Sequence, residues 1–281
     1  MRADLHSHSS ASDGTRPPAE VMRRAAAAGL DAIALTDHDT SAGIAEAAQA
    51  LPPGLVLVPG MELSCRRDGH SVHMLAYLFD PQHDELAAEL ARITSARVER
   101  AQAMVDRLAE LGTGVTWEQV TQIAGGGVIG RPHIARAMVA AGVIESVEEA
   151  FTPEWIGAGG RAHVRRYALD PVRAVRLVAA AGGVSVLAHP LAQRRGWLVP
   201  EVLISELAQA GLAGVEVDHR DHEEAERLVL ASLADRLGLA VTGGSDDHGE
   251  LTGDRLGTET TSEEDFTRLL SSATGRSVIK K

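Results

Sequence analysis

His6 and His8 stand two residues apart near the N-terminus, and Asp246 and His248 repeat that spacing near the C-terminus. In an extended chain, residues two apart project to one face, so each pair can address a single centre. A lone H-x-H is a weak signal, more often a structural pair than a metal site. Here it recurs together with Glu62 and three strand-associated histidines, His38, His73 and His189. Imidazoles mixed with carboxylates suit Zn, Mn or Fe(II), while an all-oxygen set would suggest Mg or Ca; Mg stays open as a further choice. So many donors exceed what one tetrahedral ion takes, and two or three divalent ions are expected, with Glu62 able to bridge a pair. Clustered ions lower the pKa of a bound water and hold phosphoryl oxygens, which is what phosphate ester hydrolysis needs.

The elements that must position these residues alternate between short β-like runs and longer helical patterns. Strands are expected at 3–6, 31–36, 55–59, 71–78, 184–188, 214–218 and 239–242. Helices are expected at 17–28, 40–50, 171–181, 200–210, 222–237 and 263–272. Pro17-Pro18 opens the first helix, and Gly29, Gly182, Gly211 and Gly238 follow the ends of four of them. This rhythm predicts a parallel sheet with crossover helices, either a barrel or a doubly wound sheet. Arg67-Asp68-Gly69 reads as a hairpin turn joining a strand at 61–66 to the one at 71–78. Most of the ligand-type residues fall where strands end, the rim on which parallel β/α folds build active sites. Residues 83–166 break the rhythm with helices at about 83–111 and 132–141, the unassigned stretch 116–124 between them, and two glycine-rich stretches. Together they read as a helical insertion into a barrel formed by 1–82 and 167–281.

Aromatic residues make up only 3% of the chain, so the core must be aliphatic. A net charge of −12 argues against a protein that coats nucleic acid through a basic surface. Apart from Lys280 and Lys281 the cationic side chains are arginines, whose bidentate forks suit phosphate. No apolar run approaches the roughly 20 residues that span a bilayer, and the first residues lack a signal-peptide core. The single cysteine, Cys65, permits no internal disulfide, suits a cytoplasmic location, and reads as core filler rather than nucleophile.

Asp4-Leu5-His6-Ser7-His8, Ser12-Asp13-Gly14, Leu35-Thr36-Asp37-His38-Asp39-Thr40, Pro59-Gly60-Met61-Glu62-Leu63-Ser64, Ala188-His189-Pro190 and Gly244-Ser245-Asp246-Asp247-His248 together resemble the PHP (polymerase and histidinol phosphatase) superfamily. The resemblance spans Asp4 to about Gly249 apart from the insertion. It implies an α/β fold, a distorted seven-stranded (β/α)7 TIM-like barrel, with up to three metal ions. By motif, His6, His8, Glu62 and Asp246 would hold one ion, Asp13, His38 and His248 a second, and Glu62, His73 and His189 a third. His6, His8, Glu62, Asp246 and His248 are then the residues expected to carry the reaction. Asp37 and Asp39 are read as supporting or loop-capping groups. Asp247 departs from the family's usual aromatic or small residue, so the resemblance carries no substrate contact over to it.

Within the superfamily, the Leu-Thr-Asp-His-Asp-Thr form and the insertion look most like stand-alone phosphoesterases of nucleotides. The expected activity is hydrolysis of a phosphate monoester on a small nucleotide, the 3′-phosphate of a nucleoside 3′,5′-bisphosphate, through a metal-bound hydroxide. Gly130-Arg131-Pro132-His133 resembles a substrate-contacting segment of that group. Arg131 and His133 are candidates to clamp a second phosphate; alternatively Arg131 is a surface residue and His133 a helix-start cap. Arg194 and Arg195 follow His189 on a rim loop and are further candidates, as are His163, Arg165 and Arg166. His70, His83, His219 and His222 read as surface or turn histidines, with a peripheral role open for His219 at the end of its strand. Competing readings are a 5′→3′ exoribonuclease or oligonucleotidase acting on short RNA, a histidinol phosphatase, and a non-catalytic module. No aromatic platform or lysine stripe favours RNA. A degenerate module would lack ligands that this chain retains. No obligate protein partner is expected.

Overall fold

The computed structural model describes residues 1–193 and 197–281. Among them, eight strands run β1 (Ala3–Asp4), β2 (Ala32–Leu35), β3 (Val56–Arg67), β4 (His70–Tyr77), β5 (Val184–Leu187), β6 (Gly214–Asp218), β7 (Ala240–Gly243) and β8 (Ile279–Lys280). The helices are α1 (Pro18–Ala27), α2 (Ile44–Gln49), α3 (Asp84–Glu110), α4 (Trp117–Ala124), α5 (Arg131–Ala140), α6 (Val147–Ala150), α7 (Pro171–Ala180), α8 (Glu201–Gln209), α9 (Glu224–Leu237) and α10 (Glu263–Ser271).

Strands β1 to β7 lie side by side in sequence order. The ends approach each other as well: the Leu5 N–H donates to the Gly243 carbonyl at 3.2 Å, Asp246 N–H to His6 O at 2.9 Å and His8 N–H to Asp247 O at 2.9 Å. The result is a nearly closed seven-stranded barrel of the expected α/β class. Gly244 makes this closure possible, because a Cβ there would stand 2.8 Å from the His6 backbone nitrogen.

The sheet departs from an all-parallel barrel at one strand. β4 runs antiparallel to both β3 and β5. Its hairpin with β3 turns through Asp68 and Gly69, both at positive φ, as the sequence predicts. Because β4 is reversed, His73 serves the rim from within the strand, opposite Ser64, rather than from a C-terminal end. The two segments expected at 55–59 and 61–66 are one strand of 12 residues. Gly60 separates the two expected runs, but the strand passes through it. It pairs in parallel with β2 up to Pro59 and antiparallel with β4 from Gly60 onward. The two-residue β8, too short to leave a pattern, pairs with Val56 and Leu57 on the same strand.

The core is aliphatic, as the composition requires. Tyr77 is fully buried and donates its hydroxyl hydrogen to the Leu5 carbonyl at 2.7 Å. Along α3 the buried positions Leu86, Ile93, Arg97, Ala101, Met104 and Leu108 mark one face. Leu86 and Ile93 pack into the barrel core, while Ala101, Met104 and Leu108 join a separate apolar cluster with Val120, Ile134, Met138, Ile144 and Ile156. Arg97 sits where one core gives way to the other. No helix among the described residues is long and apolar enough to cross a membrane.

Candidate metal centre

Alternation along the extended chain after β1 points His6 and His8 to the same side, where both are fully buried. Glu62 faces them from the middle of β3 and Asp246 from the loop after β7. His6 Nε2 lies 3.4 Å from Glu62 Oε2 and 3.3 Å from Asp246 Oδ1; His8 Nε2 lies 3.2 and 3.3 Å from the same two oxygens. Four donors thus surround one point.

Two further groups adjoin this one. Asp13 is met by His248 Nε2 at 3.4 Å, His38 Nε2 at 3.7 Å and His8 Nδ1 at 3.8 Å. Glu62 is shared: His38 Nδ1 approaches Oε2 at 3.2 Å, while His73 Nδ1 and His189 Nε2 approach Oε1 at 2.7 and 3.1 Å. In each of three sets, His6-His8-Glu62-Asp246, His8-Asp13-His38-His248 and His38-Glu62-His73, the donor atoms lie within 4.8 Å of one another. All nine residues named from the sequence come together. The side chains of His38, His73 and His248 are 11%, 17% and 15% exposed, against zero for His6 and His8. The centre therefore opens to solvent over its second and third groups.

These residues fit divalent cations. His6 Nε2, both His8 nitrogens and His38 Nδ1 are buried, yet none makes a well-aligned hydrogen bond. Such atoms are rare in a folded interior unless they serve an ion or a reaction. Burial pulls the His8 imidazole down, but the Asp246 and Glu62 carboxylates outweigh it and raise its pKa to about 10. Burial, opposed by Glu62 and Asp13, lowers His38 to about 3. Burial would likewise raise Glu62, but His38, His73 and His6 hold it well below the usual carboxylate range. Asp13 and Asp246 are held low by their own histidine neighbours in the same way. The carboxylates stay ionised and the imidazoles crowd around them, an arrangement a cation stabilises.

The backbone that presents the centre is strained. Asp39, His189 and Asp246 have φ of 55°, 30° and 49°. Each has its N–H tied down: Asp39 to Glu62 O at 3.0 Å, His189 to Glu216 Oε2 at 2.8 Å, and Asp246 to His6 O at 2.9 Å. Strain of this kind persists only where the surroundings over-determine it.

Several supporting residues escaped the sequence reading. Glu216 on β6 accepts from the His189 N–H and lies 3.0 Å from His6 Nδ1. Its only sequence signal is a lone acid inside the apolar run Gly-Val-Glu-Val. Asp4 is fully buried and accepts the backbone N–H groups of Ser245 and Gly257 at 2.9 Å each; burial raises its carboxyl to about 6. His219 and His222 are not surface histidines: they are 0% and 4% exposed. His222 bridges the Val217 carbonyl and the Leu191 N–H. His83 precedes α3, and exposed His70 stacks on Trp197 with centroids 4.7 Å apart. Asp37 and Asp39 support loops as expected, Asp37 through Ser9 and Ser12 and Asp39 through Ser64 and Arg97. Asp247 is fully buried and accepts from the Gly249 and Arg255 N–H groups, so it faces the protein rather than a substrate. Cys65 is core filler, its thiol pushed up by burial.

Arginines gather beside the centre. Arg97 donates to Asp39 at 2.6 Å and to Ser64 at 2.7 Å, both buried. One turn on, Arg100 lines a cleft of about 340 Å³ together with Ala96, Glu99, Val164, Arg165, Arg166 and Tyr167. Burial and then repulsion from Arg166, Arg97, Arg131 and Arg66 lower Arg100 to about 8; Arg166 falls to about 10 for similar reasons. Arg131 lies with its guanidinium 5.2 Å from the Phe151 ring centre and contributes to this field. His133 takes the capping role: 2% exposed, it accepts the Gly130 N–H at Nδ1. His163 is lowered by burial and by Arg131, Arg66 and Arg100. Arg194 and Arg195 lie outside the described residues.

Residues 4–113 match the family model described as the PHP domain. The chain is 35% identical over 254 residues to the 3′,5′-nucleoside bisphosphate phosphatase of Chromobacterium violaceum, covering 90% of this chain and 89% of the relative. It is 34% identical over 246 residues to the 5′-3′ exoribonuclease of Haemophilus influenzae, covering 87% and 89%. A crystal structure from Bifidobacterium adolescentis, described as a metal-dependent phosphoesterase, superposes with a TM-score of 0.90 at 35% identity, covering 97% of this chain and 96% of the other.

Proposed function

The chain belongs to the PHP domain family of metal-dependent phosphoesterases, and on that premise we propose that it removes a phosphate monoester from small nucleotides, the 3′-phosphate of nucleoside 3′,5′-bisphosphates. The observation that carries this reading is the pairing of the three donor groups with a separate cleft lined by Arg100, Arg165 and Arg166, the two joined through Arg97, Asp39 and Glu62. The donor groups suit ions that hold a scissile phosphoryl group; the cleft suits a second, intact phosphate.

In this reading His6, His8, Glu62 and Asp246 hold one divalent ion and Asp13, His38 and His248 a second, with Glu62, His73 and His189 around a third. Mn, Zn and Fe(II) match the donors. When bound, such ions lower the pKa of water and draw charge from phosphoryl oxygens. The chain's own residues do the rest. Glu216 orients His6, and the partly exposed side of His38, His73 and His248 admits the ester. Arg100, Arg131 and Arg166 anchor the distal phosphate, so its binding energy orients the scissile one. Residues 83–166, the proposed insertion, contribute Arg97, Arg100, Arg131 and Arg166 and thereby select the substrate.

Purified protein with Mn²⁺ should release inorganic phosphate from nucleoside 3′,5′-bisphosphates much faster than from nucleoside monophosphates. Equal rates on both, or none on either, would refute the reading. A second reading, 5′→3′ trimming of short RNA, is favoured by the similarity to an exoribonuclease. Stepwise shortening of an end-labelled oligomer, faster than bisphosphate hydrolysis, would select it.

A further inference from the structure

We propose that His219 is a positioning residue that holds Asp246 in a one-oxygen binding mode by donating its Nε2 hydrogen to Oδ2. The inference rests on the metal reading of the centre and is independent of which ester is cleaved.

His219 follows β6 and is completely buried. Its Nδ1 accepts the backbone N–H of Asp221 at 3.0 Å. A ring nitrogen that accepts a hydrogen bond carries no proton, so the ring's hydrogen must sit on Nε2. That nitrogen has no well-aligned partner and points into the centre, 3.5 Å from Asp246 Oδ2. The other oxygen of the same carboxylate, Oδ1, is the one that faces His6 Nε2 and His8 Nε2, each at 3.3 Å. The two oxygens are thereby divided, one towards the donor group and one towards His219.

Direct ligation by His219 conflicts with this network. A ligating Nε2 must offer a lone pair, which would move the hydrogen to Nδ1 and set it against the Asp221 N–H, donor facing donor. Nor can the ring turn away, since it is packed against His189 and His222 with centroids 5.3 and 5.5 Å distant. The strained φ of Asp246 fixes the carboxylate's origin, and His219 fixes its rotation. Outer partners of this kind typically change metal affinity by about 10–100-fold when removed.

The test compares His219→Leu, which keeps bulk without a donor, with His219→Gln, whose amide places an N–H near the Nε2 position. Mn²⁺ titration by calorimetry should show one site weakened about 10–100-fold in the Leu variant, and native-like affinity within a few-fold in the Gln variant. Turnover in the Leu variant should recover at high Mn²⁺ with KM unchanged. Native-like Mn²⁺ affinity in a folded Leu variant would overturn the proposal. The native chain gives a second measurement that needs no variant: in ¹⁵N-labelled, Zn²⁺-loaded protein, His219 should show the Nε2–H tautomer. The Nδ1–H tautomer would overturn the proposal even if the Leu variant failed to fold. A native chain that binds no divalent cation would instead remove the metal reading itself, and this inference with it.

Discussion

Glu216 Oε1 lies 3.0 Å from His6 Nδ1, with both side chains at most 1% exposed, and its Oε2 accepts the His189 N–H at 2.8 Å. One carboxylate therefore orients two of the proposed ligands. The contact at Nδ1 keeps the imidazole hydrogen there and turns the Nε2 lone pair toward Glu62 and Asp246. Glu216→Gln replaces one acceptor with an NH₂ group, which must face either the His6 or the His189 hydrogen. Metal affinity should fall about 10–100-fold, read by metal content after dialysis, and activity should return with excess Mn²⁺. Full retention of metal in the Gln variant would contradict the role.

Metal uptake should expel protons. With the His8 pKa raised to about 10 by Asp246 and Glu62 against the effect of burial, its ring is protonated at pH 7 and must release that proton to become a ligand. Affinity should therefore rise with pH, by about tenfold per unit for each proton displaced, until His8 titrates unaided near 10. Calorimetry in two buffers of different ionisation enthalpy measures the release directly. At least one proton is expected at pH 7 on binding of the ion that His8 takes, and a buffer-independent enthalpy would count against His8 as a ligand.

Local pattern and long-range packing divide what the sequence could reveal. His6-x-His8 and Asp246-x-His248 were legible because an extended chain repeats every two residues. Glu62 was legible because it follows the run expected at 55–59, although the strand in fact continues through it, and His189 because it stands just after β5. Glu216 was not, because a lone acid in an apolar strand has no meaning until His6 is placed 3.0 Å away by a residue 210 positions distant. His219 read as a surface or turn residue with at most a peripheral role, because nothing in the local sequence signals its complete burial. The arginine cleft was half visible: Arg165 and Arg166, which line it, stand among the sequence candidates, whereas Arg100 gives no local signal until α3 packs beside residues 164–167. In the fold, Gly60 fell between two expected runs because glycine weakens a strand interior; the strand continues as its pairing partner changes from β2 to β4 at that point.

The arginines should decide which ester is preferred. Hydrogen bonds to charged groups contribute about 1.5–3 kcal/mol, or roughly 10–150-fold in binding. Arg100→Ala and Arg131→Ala should each raise KM for a nucleoside bisphosphate by about that factor, while hydrolysis of a monophosphate stays nearly constant. Lysine should restore little, since a point charge cannot reproduce the planar fork. Equal losses on both substrates would place these residues at the scissile phosphate instead.

Arg97 and Asp39 should fix the insertion's first helix to the barrel. The pair is buried at 6% and 0% side-chain exposure, 2.6 Å apart, and lies where α3 passes from the barrel core to the apolar cluster of α4 and α5. Burial opposes ionisation of Asp39, but Arg97 and then Arg166 hold its pKa below the ordinary value. A depressed carboxylate contributes stability that is present above the unfolded pKa of about 4 and is lost as pH falls through the lower folded value. Arg97→Met leaves that carboxylate buried without its partner and should cost about 3–5 kcal/mol. Arg97→Met combined with Asp39→Asn should recover much of the loss, because neither charge then remains buried. Urea unfolding at pH 7 of the two single variants and the double variant measures the coupling. Strictly additive losses would show that the pair does not act as a unit.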